Sequence, residues 1–446
     1  MDQTVHLQVA LDFLELPRAL KVAQAAFAGG ADYIEAGTPL IKSEGLDAVR
    51  KLRELFPAAV IIADTKTMDA GRIEAEAAGK AGANVMTVCA AAAAGTIREC
   101  VEAGRHYGLQ VAVDLMGVAD PVAAAKAAEQ VGAAWVDVHC PIDAQMAGAD
   151  PLEQLREIRA AVACTVAVAG GINSETAPAA AAAGADVIIV GGAITKAIDP
   201  KAAAAEIRRA IDTGSAVATS LFKRAGAAGD GGKSLRELFE SQQIRSSNIS
   251  DGAHRRPCLE GLRPLIAGKF ICGPAITVRT LPGDWSKPVQ AIDLAKPGDV
   301  IVVDAGGRPP AIWGELATEG AVNKRIAGLV VDGAVRDTAE IRKLDFAVWT
   351  RHITSHAGDP KGLGEINQPI LIAGQRICPG DWIVADDDGV MVLPAAEAVE
   401  MVNRGADVLE AENRIRAEIR DQASTLAQVL NLARWDAKGQ GGPSVG

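Results

Sequence analysis

The charged run DTKTMD at positions 64–69 is the centre of the candidate chemistry in the first half of the chain. Asp64 and Lys66 are two residues apart, so on an extended segment their side chains face the same side. Asp69 follows where the chain is expected to turn into a helix. Carboxylates on both sides of Lys66 favour its charged form, which makes it a poor Schiff-base nucleophile. A charged lysine is suited instead to stabilising an oxyanion that develops during a reaction.

Other polar residues end neighbouring apolar runs, namely Asp12, Glu35 and His139. Glu35 and Asp64 carry the hard oxygen ligands that Mg²⁺ prefers, so they predict a site for Mg²⁺ or another divalent metal. Together with a cationic lysine, such a metal can hold an enediolate. His139 can transfer protons near neutral pH. Asp12 is a candidate for substrate binding, but a single acid at a strand end can equally be a helix N-cap.

Two pairs of glycines, Gly170-Gly171 and Gly191-Gly192, end the last two apolar runs of this half. Backbone N–H groups at the start of a following helix bind anions. In barrels of eight strands, a phosphate commonly lies at this place. The glycine pairs therefore predict a phosphate site, and the alternative is that they are turn residues only.

Eight short apolar runs position these residues, and helical stretches rich in Ala, Glu, Lys and Arg separate them. Because the runs do not alternate in polarity, they are typical of parallel strands buried on both faces. Eight β–α units predict an α/β protein with an N-terminal (β/α)₈ barrel. The alternative is a doubly wound open sheet, but the GxGxxG fingerprint is absent from the first turn. The predicted strands are 7–11, 32–36, 60–64, 84–88, 109–115, 135–139, 165–170 and 186–191.

Five motifs lie within residues 5–211. They are ALD at 10–12, IEAGTPLIKSEG at 34–45, ADTKTMDAG at 63–71, VAVAGGI at 166–172 and IIVGGAI at 188–194. Together they resemble 3-hexulose-6-phosphate synthase and its relative 3-keto-L-gulonate-6-phosphate decarboxylase, both of the orotidine-monophosphate-decarboxylase group.

The resemblance implies roles for individual residues. It implies Glu35 and Asp64 as Mg²⁺ ligands, and Lys66 on the enediolate. It also implies His139 in proton transfer and Asp69 reaching into the site of a partner subunit. The residues implied to bind phosphate are Gly171, Gly191 and Gly192.

The implied reaction is a reversible, Mg²⁺-dependent aldol condensation. Ribulose 5-phosphate, as its enediolate, attacks formaldehyde and gives D-arabino-3-hexulose 6-phosphate. The alternative is a decarboxylase of 3-keto-L-gulonate 6-phosphate, which is expected to carry Arg three residues after the histidine and again at the position of Gly192. Here these positions are Ile142 and Gly192, and both departures favour the synthase.

Residues 212–233 interrupt the alternation of apolar runs and helical stretches. They are rich in glycine, alanine and small polar residues, which is typical of a linker. The predicted domains are therefore the barrel at 1–211 and a mixed α/β domain with few crossover helices at 234–446. A charged helix at roughly 395–422 is expected to close the second domain.

The motif VVDGAVRDTAEI at 330–341 is the strongest local signal of the second domain. Arg336 can clamp a carboxylate bidentately, and Asp337 beside it can hold a divalent metal through water. Glu340 falls about one helical turn beyond Asp337, on the same face. Upstream, WGELAT at 313–318 offers a helix start led by glycine, which is suited to binding an anion.

With SNISDGA at 247–253 and GDWIVADDDGVMVLP at 380–394, this motif resembles the family of the regulator of ribonuclease activity A. That family also contains the 4-hydroxy-4-methyl-2-oxoglutarate aldolases, and the resemblance implies a swivelling β/β/α fold. It implies Arg336 on an α-keto acid, with Asp337 and Glu340 as the metal site. The amides implied to bind the carboxylate belong to Gly314, Glu315 and Leu316. The alternative is a non-catalytic regulatory or assembly domain.

Two further clusters have a structural interpretation. His352 and His356 are four residues apart, but they lie in a segment bounded by Gly and Pro, so we do not expect them to bind a metal. The acidic run Asp386–Asp388 is expected to be a turn.

The bulk composition narrows the classes of partner. The 446 residues carry a formal net charge of −11, and aromatic residues make up only 3%. Both features disfavour nucleic-acid binding. The seven cysteines form no CxxC pair, which favours reduced thiols in the cytoplasm. No signal peptide and no membrane span are expected. Because both families form oligomers, we expect a homo-oligomer.

Overall fold

The computed structural model describes residues 4–146, 151–219, 233–421 and 423–433. The chain divides into two compact units. The first comprises Met1–Gln145, Ala149–Leu221 and Glu410–Gly446, and the second comprises Met146–Gly148 and Phe222–Leu409. Most of the predicted linker lies outside the described residues, so the boundaries at 211 and 234 stay predictions.

Eight parallel strands of the first unit form a closed barrel, in which each strand pairs with the next along the chain and the eighth pairs with the first. The predicted barrel is therefore confirmed, and each predicted strand is present. The strands are β1 (His6–Leu11), β2 (Tyr33–Ala36), β3 (Val60–Thr67), β4 (Val85–Cys89), β5 (Gln110–Asp114), β6 (Trp135–His139), β7 (Thr165–Ala169) and β8 (Val187–Val190).

Helices surround the barrel and bury its outer face. One apolar core joins outward-facing strand residues such as Val9 and Ile34 to helix residues such as Ala23 and Leu52. The helices are α1 (Leu16–Ala28), α2 (Thr38–Glu44), α3 (Asp47–Leu55), α4 (Gly71–Ala81), α5 (Ala94–Tyr107), α6 (Pro121–Gln130), α7 (Ile142–Met146), α8 (Leu152–Ala161), α9 (Ala177–Ala182), α10 (Gly192–Thr195) and α11 (Pro200–Thr213).

A second, smaller apolar cluster fills the inside of the barrel. It contains small side chains, such as those of Ala10, Ala112 and Ala167, together with Ile62 and Trp135. The alternation of side chains along a strand places one residue of each strand inside and the next outside. Polar residues stand at or next to the carboxyl ends of β1, β2, β5 and β6, and they are Asp12, Glu35, Asp114 and His139. The carboxyl ends of the strands form the mouth of the barrel where active sites of this fold lie.

The second unit contains a nine-stranded mixed sheet. Four of its strands are parallel neighbours in the order β10, β11, β13 and β14, and apolar clusters cover the two faces. The strands of this unit are β9 (Arg263–Pro264), β10 (Ile271–Arg279), β11 (Val300–Asp304), β12 (Ala311–Trp313), β13 (Gly328–Val335), β14 (Val348–Ile353), β15 (Glu365–Ile366), β16 (Ile370–Ile372), β17 (Gln375–Ile377), β18 (Trp382–Ala385) and β19 (Val390–Leu393).

A helix connects each of these parallel strands to the next, so the expectation of few crossover helices is wrong. The sequence indicated the starts of two of the three connecting helices, at WGELAT and after Arg336-Asp337. It did not indicate the helix between β10 and β11, which at 9 residues is too short to show a clear period. The remaining helices of the chain are α12 (Lys233–Gln242), α13 (Ser246–Gly252), α14 (Ser286–Leu294), α15 (Glu315–Asn323), α16 (Thr338–Lys343), α17 (Ala398–Asp421) and α18 (Leu426–Val429).

The longest helix, α17, matches the charged helix predicted at 395–422 within a few residues. Within the described part of the chain, no helix is both long and apolar enough to cross a membrane.

Candidate active site

Lys66 is held at the mouth of the barrel by two carboxylates. Its Nζ lies 2.7 and 2.8 Å from the two carboxylate oxygens of Asp64 and 2.9 Å from Oδ2 of Asp114. The strand is not regular here, since the register of β3 and β4 shifts between Ala63 and Thr67 and Lys66 has φ +46°. The side chains of Asp64 and Lys66 nevertheless meet, as their spacing predicted.

Asp114 is the second carboxylate beside Lys66, and sequence reasoning missed it. It ends β5, is 1% exposed, and its Oδ2 also lies 2.9 Å from Nδ1 of His139. Asp69 does not take this place, because it is exposed and its carboxylate accepts the backbone N–H of Ala70 at 2.7 Å. The expectation that Asp69 flanks Lys66 is therefore wrong, whereas its implied role toward a partner subunit stays a prediction. The only signal for Asp114 was a polar residue at the end of an apolar run.

The charges of this cluster stabilise one another. Burial alone would lower the pKa of Lys66, but the carboxylates of Asp64, Asp114 and Glu35 outweigh it and raise the pKa. Burial would likewise lower the pKa of His139, but its hydrogen bond to Asp114 and the charge of Asp114 raise it. Burial opposes the charge of Asp114, yet His139 and Lys66 hold the pKa of Asp114 at about 2. The cluster therefore keeps a permanent cation next to an oriented histidine.

Glu35 is a buried acid and Asp12 an exposed one, and the negative charge of both is unfavourable in this protein. Burial, followed by the charges of Asp64 and Asp12, raises the pKa of Glu35 well above its ordinary value. Burial and the charge of Asp64 also raise the pKa of Asp12. Gln8 donates from Nε2 to Glu35 at 2.6 Å, and its own Oε1 is buried with no hydrogen bond to a described residue.

These oxygen donors fit a hard divalent cation. A bound cation would offset the repulsion between Glu35 and Asp64, the two predicted ligands. Among the residues that the structure describes, no three His, Cys, Asp or Glu side chains stand together as a metal-binding group. A protein site with two carboxylates, completed by water and substrate, matches the way Mg²⁺ is usually bound. Asp64 is also fixed by hydroxyl groups, since it accepts from Thr38 and Thr87 at 2.6 Å each.

A further buried acid, Asp137 on β6, pairs in register with Asp114 on β5. Burial and then the charge of Asp114 raise the pKa of Asp137 to about 8, so it is uncharged at neutral pH. Its Oδ1 has no hydrogen-bond partner among the described residues. Asp137 therefore adds no negative charge beneath the Lys66 cluster at pH 7. It was not predicted from the sequence.

The two glycine pairs follow β7 and β8, at the same mouth. Gly170 has φ +114°, and a Cβ there would come within 2.7 Å of Cys140, so this position requires glycine. Gly171 also has a positive φ, of +69°. Gly191 caps α10, which begins at Gly192, and a Cβ on Gly191 would lie 3.3 Å from a carboxylate oxygen of Asp12. Of the predicted phosphate residues, Gly191 is thus adjacent to Asp12.

In the second unit, the structure gives Asp337 a structural contact. Asp337 lies at the N-cap of α16, and its Oδ2 accepts the backbone N–H of Glu315 at 3.2 Å, at the start of α15. A Cβ on Gly314 would overlap this carboxylate. One of the amides implied to bind a substrate carboxylate therefore already binds Asp337, while Leu316 is 82% exposed.

The other implied residues are less closely grouped. Nε of Arg336 lies 3.5 Å from Oδ2 of Asp337, and both side chains are exposed. Glu340 is within 3.4 Å of Nζ of Lys343, its neighbour on α16. Arg336 and Asp337 thus lie together in the structure, but Glu340 contacts a lysine.

The structure tests one of the two structural interpretations, while the expectation that His352 and His356 bind no metal stays a prediction. Asp386 to Asp388 join β18 to β19, and Asp386 accepts from Ser246, so the predicted turn is confirmed. Nε2 of His352 is 3.0 Å from the carbonyl of Gly307, and Nδ1 of His356 is 2.8 Å from Oγ1 of Thr354.

Comparisons with known proteins match a different family to each of the two units. The family model described as Orotidine 5'-phosphate decarboxylase / HUMPS family matches residues 5–207. The chain is 41% identical to 3-hexulose-6-phosphate synthase of Mycobacterium gastri over 46% of this chain and 100% of that protein. It is also 40% identical to the 3-hexulose-6-phosphate synthase of Methylomonas aminofaciens, over 45% of this chain and 96% of that protein. The chain belongs to the Orotidine 5'-phosphate decarboxylase / HUMPS family. These relatives confirm the prediction that it is an enzyme of the lyase class.

The second unit contains an RraA-like domain. The family model described as Aldolase/RraA matches residues 246–392. The solved structure of the RNA-processing inhibitor RraA from Thermus thermophilis is 29% identical, over 34% of this chain and 92% of that chain, with a TM-score of 0.32. The matches to the two family models confirm the predicted pairing of the two families in one chain.

Proposed function

We propose that the barrel catalyses the reversible aldol condensation of D-ribulose 5-phosphate with formaldehyde to D-arabino-3-hexulose 6-phosphate. The observation that carries this proposal is the contact of Asp114 with both Lys66 and His139 at the mouth of the barrel. It couples a permanent cation to a proton-transferring group, which are the two elements that enediolate chemistry needs. The names of the curated relatives support the same reaction.

The protein groups divide the work between them. Lys66 stabilises the oxyanion of the enediolate that forms when the sugar phosphate loses a proton from carbon. His139 takes that proton. When the enediolate carbon attacks formaldehyde, the carbonyl oxygen of formaldehyde becomes an alkoxide, and His139 can return the proton to this oxygen to give the new hydroxyl group. Asp114 positions His139 by holding Nδ1, which leaves Nε2 to face the substrate. The groups proposed to hold the phosphate are Gly171, Gly191 and Gly192.

A divalent cation is part of this proposal. Glu35 and Asp64 would hold it, and when bound it would supply positive charge to the substrate oxygens. Asp12, beside Gly191, is proposed to contact the substrate.

The synthase reaction is favoured over decarboxylation of 3-keto-L-gulonate 6-phosphate. Ile142 begins α7 and is 49% exposed, and Gly192 begins α10. Neither position supplies a guanidinium group, although the resemblance implies arginine at both positions in the decarboxylase.

The test is Mg²⁺-dependent consumption of formaldehyde in the presence of ribulose 5-phosphate. Lys66→Ala should abolish consumption, because it removes the cation that stabilises the enediolate. Lys126→Ala, on the exposed face of α6, should leave consumption unchanged. A folded wild-type protein that consumes no formaldehyde but releases CO₂ from 3-keto-L-gulonate 6-phosphate would refute the synthase in favour of the decarboxylase.

For the RraA-like domain we propose a second lyase site for an α-keto acid, with Arg336 and Asp337 as its residues. The contact between these two exposed side chains supports it. The competing proposal is a non-catalytic regulatory or assembly domain, which the use of Asp337 as a cap for the start of α15 favours. Asp337→Asn decides between them. Loss of α-keto acid turnover with unchanged thermal stability supports catalysis, whereas no turnover in the wild type supports the second proposal.

A further inference from the structure

The RraA-like domain has a cavity that none of the residues discussed above lines. Its volume is about 510 Å³, within the range of pockets that bind small molecules. Arg279 and Asp304, which end β10 and β11, lie on its wall and are direct neighbours in the parallel sheet. Outside the carboxyl ends of parallel strands is where ligands of α/β proteins commonly bind.

Two arginines give the cavity positive charge. Arg308 is exposed, and among the described residues it makes no hydrogen bond or ion pair. Arg279 donates from Nη2 to the carbonyl of Pro369 at 2.9 Å. Its other guanidinium nitrogens lie 4.0 Å from Asp304 and 3.7 Å from Glu365, which is too far for a hydrogen bond. Donors of both arginines are therefore available to an anion.

Another part of the wall is apolar. Leu281 and Leu363 are 54% and 45% exposed, and Pro282 lies beside them. The segments that carry Leu281 and Leu363 are linked by the buried carboxylate of Asp284. Asp284 accepts the backbone N–H groups of Lys361 and Leu363 at 3.1 and 2.9 Å. The backbone of Leu363 is therefore fixed to the segment that carries Leu281 and Pro282, which reduces the ordering cost of binding.

The negative charges on and near the cavity wall limit how many negative charges a ligand can carry. Asp304 accepts the backbone N–H of Gly306 at 3.1 Å and remains part of the lining. Its negative charge, with Glu365 nearby, disfavours a ligand that carries several negative charges. One carboxylate on an apolar body satisfies both the arginines and the leucines.

We propose that this cavity is a binding site for a small aliphatic monocarboxylate, with Arg308 as the carboxylate clamp and Leu281 and Leu363 as the contact for the apolar body. This site is separate from the residues proposed for the α-keto acid, since neither Arg336 nor Asp337 lines the cavity. It does not depend on the proposed activity of either domain.

The test is titration of the full chain with 4-methylpentanoate by isothermal calorimetry, with acetate as the probe that lacks an apolar body. We expect saturable binding of 4-methylpentanoate, and acetate should bind at least about tenfold more weakly. Arg308→Gln should lower the affinity for 4-methylpentanoate about tenfold to a hundredfold, because it removes a charged hydrogen-bond donor. The affinity of Arg308→Lys should lie between those of the wild type and Arg308→Gln, because a lysine keeps the charge but not the bidentate geometry.

Matched variants locate the site. Arg376→Gln, an exposed arginine of β17 outside the cavity, should bind like the wild type. Leu281→Ser should weaken 4-methylpentanoate and leave acetate unchanged. The proposal is overturned by an absence of saturable binding in the folded wild type. It is equally overturned if Arg308→Gln binds as tightly as the wild type, or if Arg336→Gln abolishes binding.

Discussion

Asp114 should control both the charge and the orientation of His139, and Asp114→Asn tests this directly. Asparagine keeps the size of the side chain and removes its negative charge. In the wild type this carboxylate is 1% exposed and lies 2.9 Å from both Nζ of Lys66 and Nδ1 of His139. The variant therefore leaves Lys66 and His139, which are both half-buried, with one carboxylate fewer beside them.

The structure sets the size of the effect. The fall in the pKa of Asp114 from 3.8 to about 2 corresponds to roughly 2–3 kcal/mol of stabilisation at neutral pH. Removing one partner of a buried charge network costs about 3–5 kcal/mol. We therefore expect the free energy of unfolding to decrease by about 2–5 kcal/mol in the variant. Loss of the oriented histidine should lower kcat by about 10²–10⁴.

The two pKa shifts give opposite dependences on pH. Because the pKa of Asp114 is lowered, its contribution is present above its ordinary value of 3.8 and is lost as the pH falls toward 2. Because the pKa of His139 is raised above 6.5, its contribution is present below 6.5 and is lost as the pH rises through the raised value. The difference in stability between wild type and variant should therefore be larger at pH 6 than at pH 9.

Urea unfolding at both pH values measures the stability, and an NMR titration of the imidazole measures the pKa of His139. The chain has six histidines, so His139→Gln assigns the resonance. Asp120→Asn is the control, because Asp120 is an exposed N-cap of α6 and asparagine caps a helix equally well. If the pKa of His139 stays raised in Asp114→Asn, then Asp114 is not its cause and the proposed positioning role is wrong.

Two further variants test the acids and the glycine loop of the barrel. Glu35→Gln should raise the stability at pH 8 in the presence of EDTA by about 1–3 kcal/mol, because burial and the charges of Asp64 and Asp12 disfavour ionised Glu35. The same variant should lose any stabilisation by Mg²⁺, so equal stabilisation of wild type and variant in urea unfolding would contradict the ligand assignment. Gly170→Ala should cost about 1–3 kcal/mol in thermal or urea unfolding, because alanine is strained at φ +114° and its Cβ would contact Cys140. Gly95→Ala, in the open part of α5, is its control and should be neutral or stabilising.

The barrel was predictable because its signal is local and repeated. Each buried strand needs an unbroken apolar run, and each helix that ends in glycine marks the return to the sheet. Gly82 shows this directly, since it caps α4 with φ +98° shortly before β4 begins at Val85. The short crossover helices of the RraA-like domain lack such a repeat, and one of them, α14, was not predicted.

The candidate site was predictable only as far as neighbours in sequence are neighbours in space. Asp64 and Lys66 meet although the strand is irregular between them. Asp69 is three residues from Lys66, but the start of α4 directs its carboxylate to a backbone N–H of its own loop. Asp337 was expected to face a metal, whereas α15 places the amide of Glu315 within its reach.

The sequence by itself determined which residues end the strands, and hence that Lys66, His139 and the acids share one mouth of a barrel. Only the tertiary structure decided which acid binds which cation. Asp114 is 48 residues from Lys66 and 25 from His139 along the chain, yet closure of the barrel brings its carboxylate within 2.9 Å of both. Contacts across a barrel depend on strand register, and no local pattern of residues records that register.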